Sequence, residues 1–217
     1  MDAGLFGGTF NPLHNGHLEI IQYVKDHCGL DRIFLYPSAL PPHKSSANLA
    51  TARDRMRMVE DAVKDRPDIF ASDVELQRQG PSFTIDTINA FKQACPDTTF
   101  HLLMGSDAFF DITTWKQNEK IFKTVPLIVM LRGERAGIAP IASYIDEQIS
   151  KGYKLEVDDC FVPCFTHKHL HPIRICNVPR IDISSTQIRT RVKLGQPLTG
   201  LVPEHVETLI RTKDLYR

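Results

Sequence analysis

Residues 4–28 read GLFGGTFNPLHNGHLEIIQYVKDHC, and this stretch decides the fold. The apolar run Gly4-Leu5-Phe6 reads as a strand that stops at Gly7-Gly8. A polar turn follows. Leu18, Ile21, Val24 and Cys28 then recur at helical spacing. His14 and His17 stand three apart around Gly16, where that helix begins. A helix start presents unpaired N–H groups and the positive end of the helix dipole, so it favours anions. Two imidazoles on one face there can donate hydrogen bonds to phosphate oxygens and stabilise charge that builds in a transition state. Gly16 leaves no side chain between them, so a base or a phosphate can approach the backbone. For an isolated HxxH, two surface histidines near a turn are the plainer reading. The GGTF at a strand end just before the pair favours the phosphate site.

Downstream, strands and helices continue to alternate. Residues 32–36 (RIFLY) form a strand that stops at Pro37. Residues 51–63 form a helix capped by Thr51, with Met56, Val59 and Val63 on one face. Residues 69–74 are a short strand, and residues 85–94 a helix that ends before Pro96. Residues 99–104 (TFHLLM) and 126–131 (PLIVML) are buried strands ending at Gly105 and Gly133. Residues 141–149 and 203–210 are helices. Residues 184–194 form another, with Ser184 as N-cap and Gln187 in the capping-box position. The pattern implies an α/β fold with a Rossmann-like, doubly wound parallel sheet covered on both faces. A single domain over residues 1–217 is expected, with a small C-terminal helical part from about residue 184. Ligands of such sheets sit beyond the carboxyl ends of the strands. Three polar motifs follow such ends: GGTFNPLHNGH, GSD at residues 105–107 and RGE at residues 132–134.

Composition narrows the function. The 217 residues carry 26 basic and 26 acidic side chains, a net charge of zero with His neutral. That balance gives no general electrostatic reason to bind nucleic acid or an anionic membrane. No apolar run approaches the roughly 20 residues that span a bilayer, and no secretory signal is visible. The five cysteines form an odd set without a CxxC. They read as mostly buried free thiols in a reducing cytoplasm. Residues 160–176 hold Cys164, His167, His169 and His171, which are potential metal ligands. The alternating HKHLH equally suits an exposed strand or loop, and no metal site is expected there.

A second anion site appears at residues 183–189, ISSTQIR. Ser184, Ser185 and Thr186 cluster at a helix start, and Arg189 follows about one turn later. Hydroxyls and N–H groups bind phosphate, and arginine can hold it bidentately. Alone, Ser184 would pass as an ordinary N-cap. Two such helix starts in one chain make a triphosphate site plausible.

With these motifs go PPHK (residues 41–44), GPSFTIDT (80–87), MGSD (104–107), Trp115 and the closing segment GLVPEHVETLIRTKDLY (200–216). In this order, from end to end, they resemble the nucleotidyltransferase superfamily with the HxGH signature. Within it the chain is similar to the bacterial nicotinate-nucleotide adenylyltransferases. HxGH alone is a superfamily feature, whereas PPHK, PSFT and the Trp after GSD point to the nicotinate branch.

The resemblance implies that AMP passes from ATP to nicotinate mononucleotide, giving deamido-NAD and pyrophosphate in NAD biosynthesis. It implies catalysis by His14, His17 and Arg189. ATP would be held by Gly7, Gly8, Thr9, Phe10, Gly16, Gly105, Asp107, Ser184, Ser185 and Thr186. The mononucleotide would be held by Lys44, Phe83, Thr84, Trp115 and Arg132, with Trp115 stacked on the pyridine. Mg2+ would ride on the ATP phosphates, with no protein cage. Two positions depart from the family pattern. Asn11 stands where Asp is usual, keeping an amide oxygen but losing the charge. Phe83 stands where Tyr is more usual. Two alternatives remain open at this stage. One is a sister enzyme using nicotinamide mononucleotide or phosphopantetheine, and the other is a nucleotide-binding module without catalysis.

Overall fold

The computed structural model describes residues 1–39, 49–78, 80–131 and 137–217. Lys44 and Arg132 lie outside these residues. Eight strands follow the order β3-β2-β1-β4-β5-β8-β7-β6. They are β1 (Asp2–Gly8), β2 (Arg32–Pro37), β3 (Ile69–Ala71), β4 (Thr99–Gly105), β5 (Leu127–Met130), β6 (Lys154–Val157), β7 (Pro163–Thr166) and β8 (Ile173–Cys176). The helices are α1 (Asn15–His27), α2 (Ala52–Val63), α3 (Thr84–Ala94), α4 (Ser106–Phe110), α5 (Asn118–Thr124), α6 (Ile138–Tyr144), α7 (Ser185–Lys193) and α8 (Glu204–Thr212). A 3-10 turn occupies Ile112–Thr114, and a π-helical turn at Ile145–Ile149 extends α6.

Strand β1 pairs parallel with β4, β4 with β5, and β5 with β8. The sheet is therefore mostly parallel, as the alternation of strands and helices requires. The difference lies at one edge, where β7 pairs antiparallel with both β6 and β8. The chain between these strands is too short for the crossover that a parallel pair needs, so it turns straight back. His167 builds the second of those turns. Its Nδ1 accepts from the backbone N–H of His169 at 3.0 Å and of Leu170 at 3.1 Å, and its Nε2 meets Ser150 Oγ at 3.2 Å. Cys28, Cys164 and Cys176 are buried free thiols, whereas Cys160 is exposed and Cys95 half-buried.

By contacts the chain forms two compact units. The first comprises Met1–Phe6, Tyr23–Ile33 and Phe83–Arg180. The second comprises Gly7–Gln22, Phe34–Ser82 and Ile181–Arg217. The division does not follow chain order, because β1, α1 and β2 each contribute to both units. In the first unit the core is the centre of the parallel strands: Leu5, Leu102, Leu103, Leu127, Ile128, Val129 and Ile173 are buried. In the second it gathers Leu13, Leu18, Ile21, Leu35, Met58, Val59, Ile188, Val206 and Ile210. Each fully buried aliphatic chain stabilises the fold by about 1.5–3 kcal/mol.

Helix α2 corrects one expectation. Its inward face is Arg55, Met58, Val59, Ala62 and Val63, and Met56 is only half-buried. Thr51 caps it as expected, its hydroxyl accepting from the Asp54 N–H at 3.1 Å. The third strand is also shorter than expected, stopping at Ala71 before a turn built on Asp73.

Candidate active site

The phosphate motifs lie together in the second unit. Gly7 and Gly8 are required by close approach. A Cβ on Gly7 would stand 2.5 Å from the Tyr36 ring, and one on Gly8 would stand 2.8 Å from the Phe10 ring. Burial pushes the Tyr36 hydroxyl well above its ordinary pKa, with Glu75 adding to the rise and Arg78 opposing it. The turn then passes through Phe10, whose φ of 46° is unusual for a side chain of that size. Phe10 is buried, and its ring meets the His17 ring edge-on at 5.4 Å. It therefore supports His17 from behind.

His14 and His17 stack, with ring centroids 3.6 Å apart and planes 26° apart. The backbone N–H of each donates to Nδ1 of the other, both at 3.3 Å. An Nδ1 that accepts carries no proton, so the neutral ring carries its proton on Nε2. The pair thus has a fixed tautomer with Nε2–H as donor. A Cβ on Gly16 would meet the His14 ring at 3.1 Å and Ile181 at 3.2 Å. The absence of a side chain there makes room for His14, where the sequence reading expected room for a ligand. No acidic residue stands in the first turn of α1.

Helix α7 brings the second motif to the same loop. Ser184 caps it, accepting from the Gln187 N–H at 3.2 Å. Ser185 Oγ donates to the Pro12 carbonyl at 2.9 Å, which commits its proton to the loop. Thr186 Oγ1 accepts from Arg189 Nη2 at 3.1 Å and keeps its own proton for another acceptor. Arg189 Nη1 donates to the Asn11 carbonyl at 2.9 Å. The three hydroxyls that looked alike in sequence therefore do different work.

Asn11 is the hub of this loop. Its Oδ1 accepts from the Ala50 N–H at 3.0 Å and from the Tyr216 hydroxyl at 2.9 Å. Neither contact needs a negative charge, which explains how Asn serves at this position. Arg55, 1% exposed, braces the same loop. It donates to the carbonyls of Ala50 at 3.2 Å, Thr9 at 2.9 Å, Ser38 at 2.7 Å and Ala39 at 3.2 Å. Burial lowers its pKa from the ordinary arginine value, and Tyr216 partly opposes that. The sequence reading missed Arg55, although a signal existed. It stands at i, i+3, i+4 and i+7 spacing with Met58, Val59 and Ala62, a core position on the helix.

The acceptor motifs lie in the first unit. Phe83 is the N-cap of α3 and offers no side-chain acceptor to the helix start, where Thr84 is half-buried. Trp115 is half-buried at the end of the 3-10 turn, so it is not a core tryptophan. Its neighbour Lys116, unforeseen in the sequence, puts Nζ 4.0 Å from the centre of the Phe83 ring and 3.7 Å from Asp86. Gly105 ends β4 and caps α4, and Asp107 is exposed in the first turn of α4.

The cytidylyltransferase-like family model matches residues 5–191. The chain belongs to that family. Within it, the chain is 37% identical over 219 residues to a Desulfatibacillum aliphaticivorans protein named "Probable nicotinate-nucleotide adenylyltransferase", covering all of both chains. A Trichlorobacter lovleyi protein of the same name is 36% identical over 217 residues, again covering all of both. The chain therefore groups with the nicotinate-nucleotide adenylyltransferases. The fold also matches the Plasmodium falciparum nicotinic acid mononucleotide adenylyltransferase complexed with NaAD, at a TM-score of 0.73 and 19% identity. That match covers 99% of this chain and 97% of the other. Among the described residues, no helix is long and apolar enough to cross a membrane.

Proposed function

We propose that this protein transfers AMP from ATP to nicotinate mononucleotide, releasing pyrophosphate and forming deamido-NAD. The observation that carries the chemistry is the stacked His14–His17 pair, whose tautomer is fixed by two backbone N–H groups. The choice of acceptor is supported by full-length relatives named for that reaction, at 37% and 36% identity.

In this reading the 5′-phosphate of the mononucleotide attacks the α-phosphorus of ATP in line. One P–O bond forms, and the bond from the α-phosphorus to the bridging oxygen breaks. The electron pair leaves with pyrophosphate. A phosphate dianion needs no strong general base, so the protein positions the groups and stabilises charge. His14 and His17 donate from Nε2 to the phosphate oxygens. Arg189, Thr186 and Ser184 hold the β and γ groups, and Lys44 is assigned to the mononucleotide. Gly7, Gly8, Thr9, Gly105 and Asp107 complete the ATP site. Phe83 and Thr84 receive the pyridine carboxylate at the start of α3, Trp115 stacks on the ring, and Arg132 is assigned to the mononucleotide by the resemblance alone. A carboxylate gains a charge-assisted bond there that a carboxamide lacks.

The donor set at the phosphate site fits a metal that arrives on ATP. Imidazole, guanidinium and hydroxyl groups face the phosphates, and the first turns of α1 and α7 hold no carboxylate. Mg2+ would be held by phosphate oxygens and would neutralise part of their charge. The test is pyrophosphate release from ATP, with nicotinate mononucleotide, nicotinamide mononucleotide and phosphopantetheine compared side by side. Fastest turnover with nicotinate mononucleotide is expected. Faster turnover with either other acceptor rejects the substrate assignment, and none with any acceptor rejects the enzyme.

A further inference from the structure

Beyond α8 the chain folds back on itself. Asp214 and Tyr216 both adopt left-handed backbone, with φ of 56° and 70°. Such conformations are unfavourable for residues other than glycine, by about 1–3 kcal/mol each, so the tail must be held by what it reaches. Lys213 pairs with Asp54 in the first turn of α2. Tyr216 is buried, and its hydroxyl donates to Asn11 Oδ1 at 2.9 Å and lies 3.9 Å from Met58 Sδ. The same Asn11 receives Arg189 on its backbone carbonyl at 2.9 Å. The path is therefore two hydrogen bonds long: tyrosine hydroxyl, asparagine amide and carbonyl, arginine guanidinium.

We infer that Tyr216 is a positioning residue for the ATP phosphate site, its hydroxyl fixing Asn11 so that the Asn11 carbonyl holds Arg189 in place. The inference rests on the phosphate-site reading above. Burial raises the Tyr216 pKa, while Arg189 and Arg55 pull it down and Asp54 pushes it up. The hydroxyl therefore stays protonated and remains a donor throughout the neutral range. Asn11 receives two donors on one oxygen, and loss of either loosens the carbonyl orientation that Arg189 reads. The tail thereby makes the geometry of the phosphate site depend on a residue that need not touch substrate.

The test is Tyr216→Phe, which keeps the buried ring and removes only the hydroxyl, with Lys213→Gln as the control for tail docking. Steady-state kinetics with both substrates and calorimetric titration with ATP are the readouts. Tyr216→Phe is expected to raise the KM and Kd for ATP about fivefold, the worth of one hydrogen bond. The KM for nicotinate mononucleotide should stay within about twofold, and Lys213→Gln should leave the ATP values near wild type. An unchanged ATP affinity in Tyr216→Phe overturns the inference. So does a fall in kcat with both KM values constant, which marks loss of folded enzyme alone. An equal rise in ATP KM in Lys213→Gln overturns it as well, because docking of the tail would then suffice. If the wild type turns over no acceptor, the proposed reaction falls, while the ATP titration still decides the role of Tyr216.

Discussion

The backbone N–H of His14 donates to Nδ1 of His17, and the backbone N–H of His17 donates to Nδ1 of His14, each at 3.3 Å. This reciprocal pairing lets two imidazoles stack in a tight turn while both keep the same proton-bearing nitrogen. His17→Ala removes one Nε2–H donor and opens a gap beside Phe10 and His14. In the proposed reaction that donor meets developing phosphate charge, so kcat is expected to fall about 10²–10³-fold. His17 is half-buried, so the unfolding free energy should change by only about 1 kcal/mol. Rapid-quench assays and urea unfolding on one preparation check both. Equal losses of activity and of folded protein would remove His17 from the chemistry.

Arg55 makes a stability prediction. Four backbone carbonyls converge on its guanidinium. Arg55→Met fills much of the same volume but leaves those oxygens without their buried donors. Leaving several buried carbonyls without their donor is expected to destabilise by about 3 kcal/mol. Urea unfolding should show a lower midpoint with an unchanged slope. A loss under about 1 kcal/mol would mean that water takes over the four carbonyls.

These two residues mark what the sequence made legible. The glycine turn and the helix start at the paired histidines were readable because their geometry is local: strand end, turn and helix start lie within eleven positions. The Ser184 cap was readable for the same reason. Arg55 was readable as a core position on its helix, but not as the donor to the carbonyls of Thr9, Ser38 and Ala39, and Tyr216 was not readable at all, because these partners lie outside their own elements. Tyr216 meets Asn11 across 205 positions, and no periodicity reports such a contact. The antiparallel edge strands β6 and β7 escaped for another reason. Their residues alternate weakly, and all four of β6 are exposed, so they carry little apolar pattern. Asn11 looked like a lost charge, yet the contacts seen at its Oδ1 and its carbonyl need only a neutral acceptor.

Thr84 tests the acceptor pocket. The start of α3 has no side-chain cap from Phe83, and Lys116 stands beside that ring. A carboxylate bound there would take a backbone N–H and the Thr84 hydroxyl. Thr84→Ala should narrow the preference for nicotinate over nicotinamide mononucleotide about tenfold, the effect of one charge-assisted hydrogen bond. The KM for ATP should hardly move. Competition assays with mixed acceptors measure the ratio directly, and an unchanged ratio would take Thr84 out of the carboxylate site.

His101 gives the pH dependence of stability. It is buried in β4, with Nε2 2.8 Å from Asp2 Oδ1, and its Nδ1 has no hydrogen-bond partner among the described residues. Burial lowers its pKa below the ordinary histidine value; the Asp2 hydrogen bond and charge oppose that, and Arg174 and His171 add to it. The unfolded chain, with a pKa of about 6.5, then binds the proton better than the folded one. Its contribution is therefore complete above about pH 6.5 and is lost as pH falls from there toward the lower folded value. His171, whose pKa is lowered by burial and by Lys92, acts in the same direction. His101→Leu should be less steep in its loss of stability between about pH 7 and pH 5, leaving the part due to His171. Urea midpoints across that range give the slopes. Parallel curves for wild type and variant would show that His101 does not couple folding to protons.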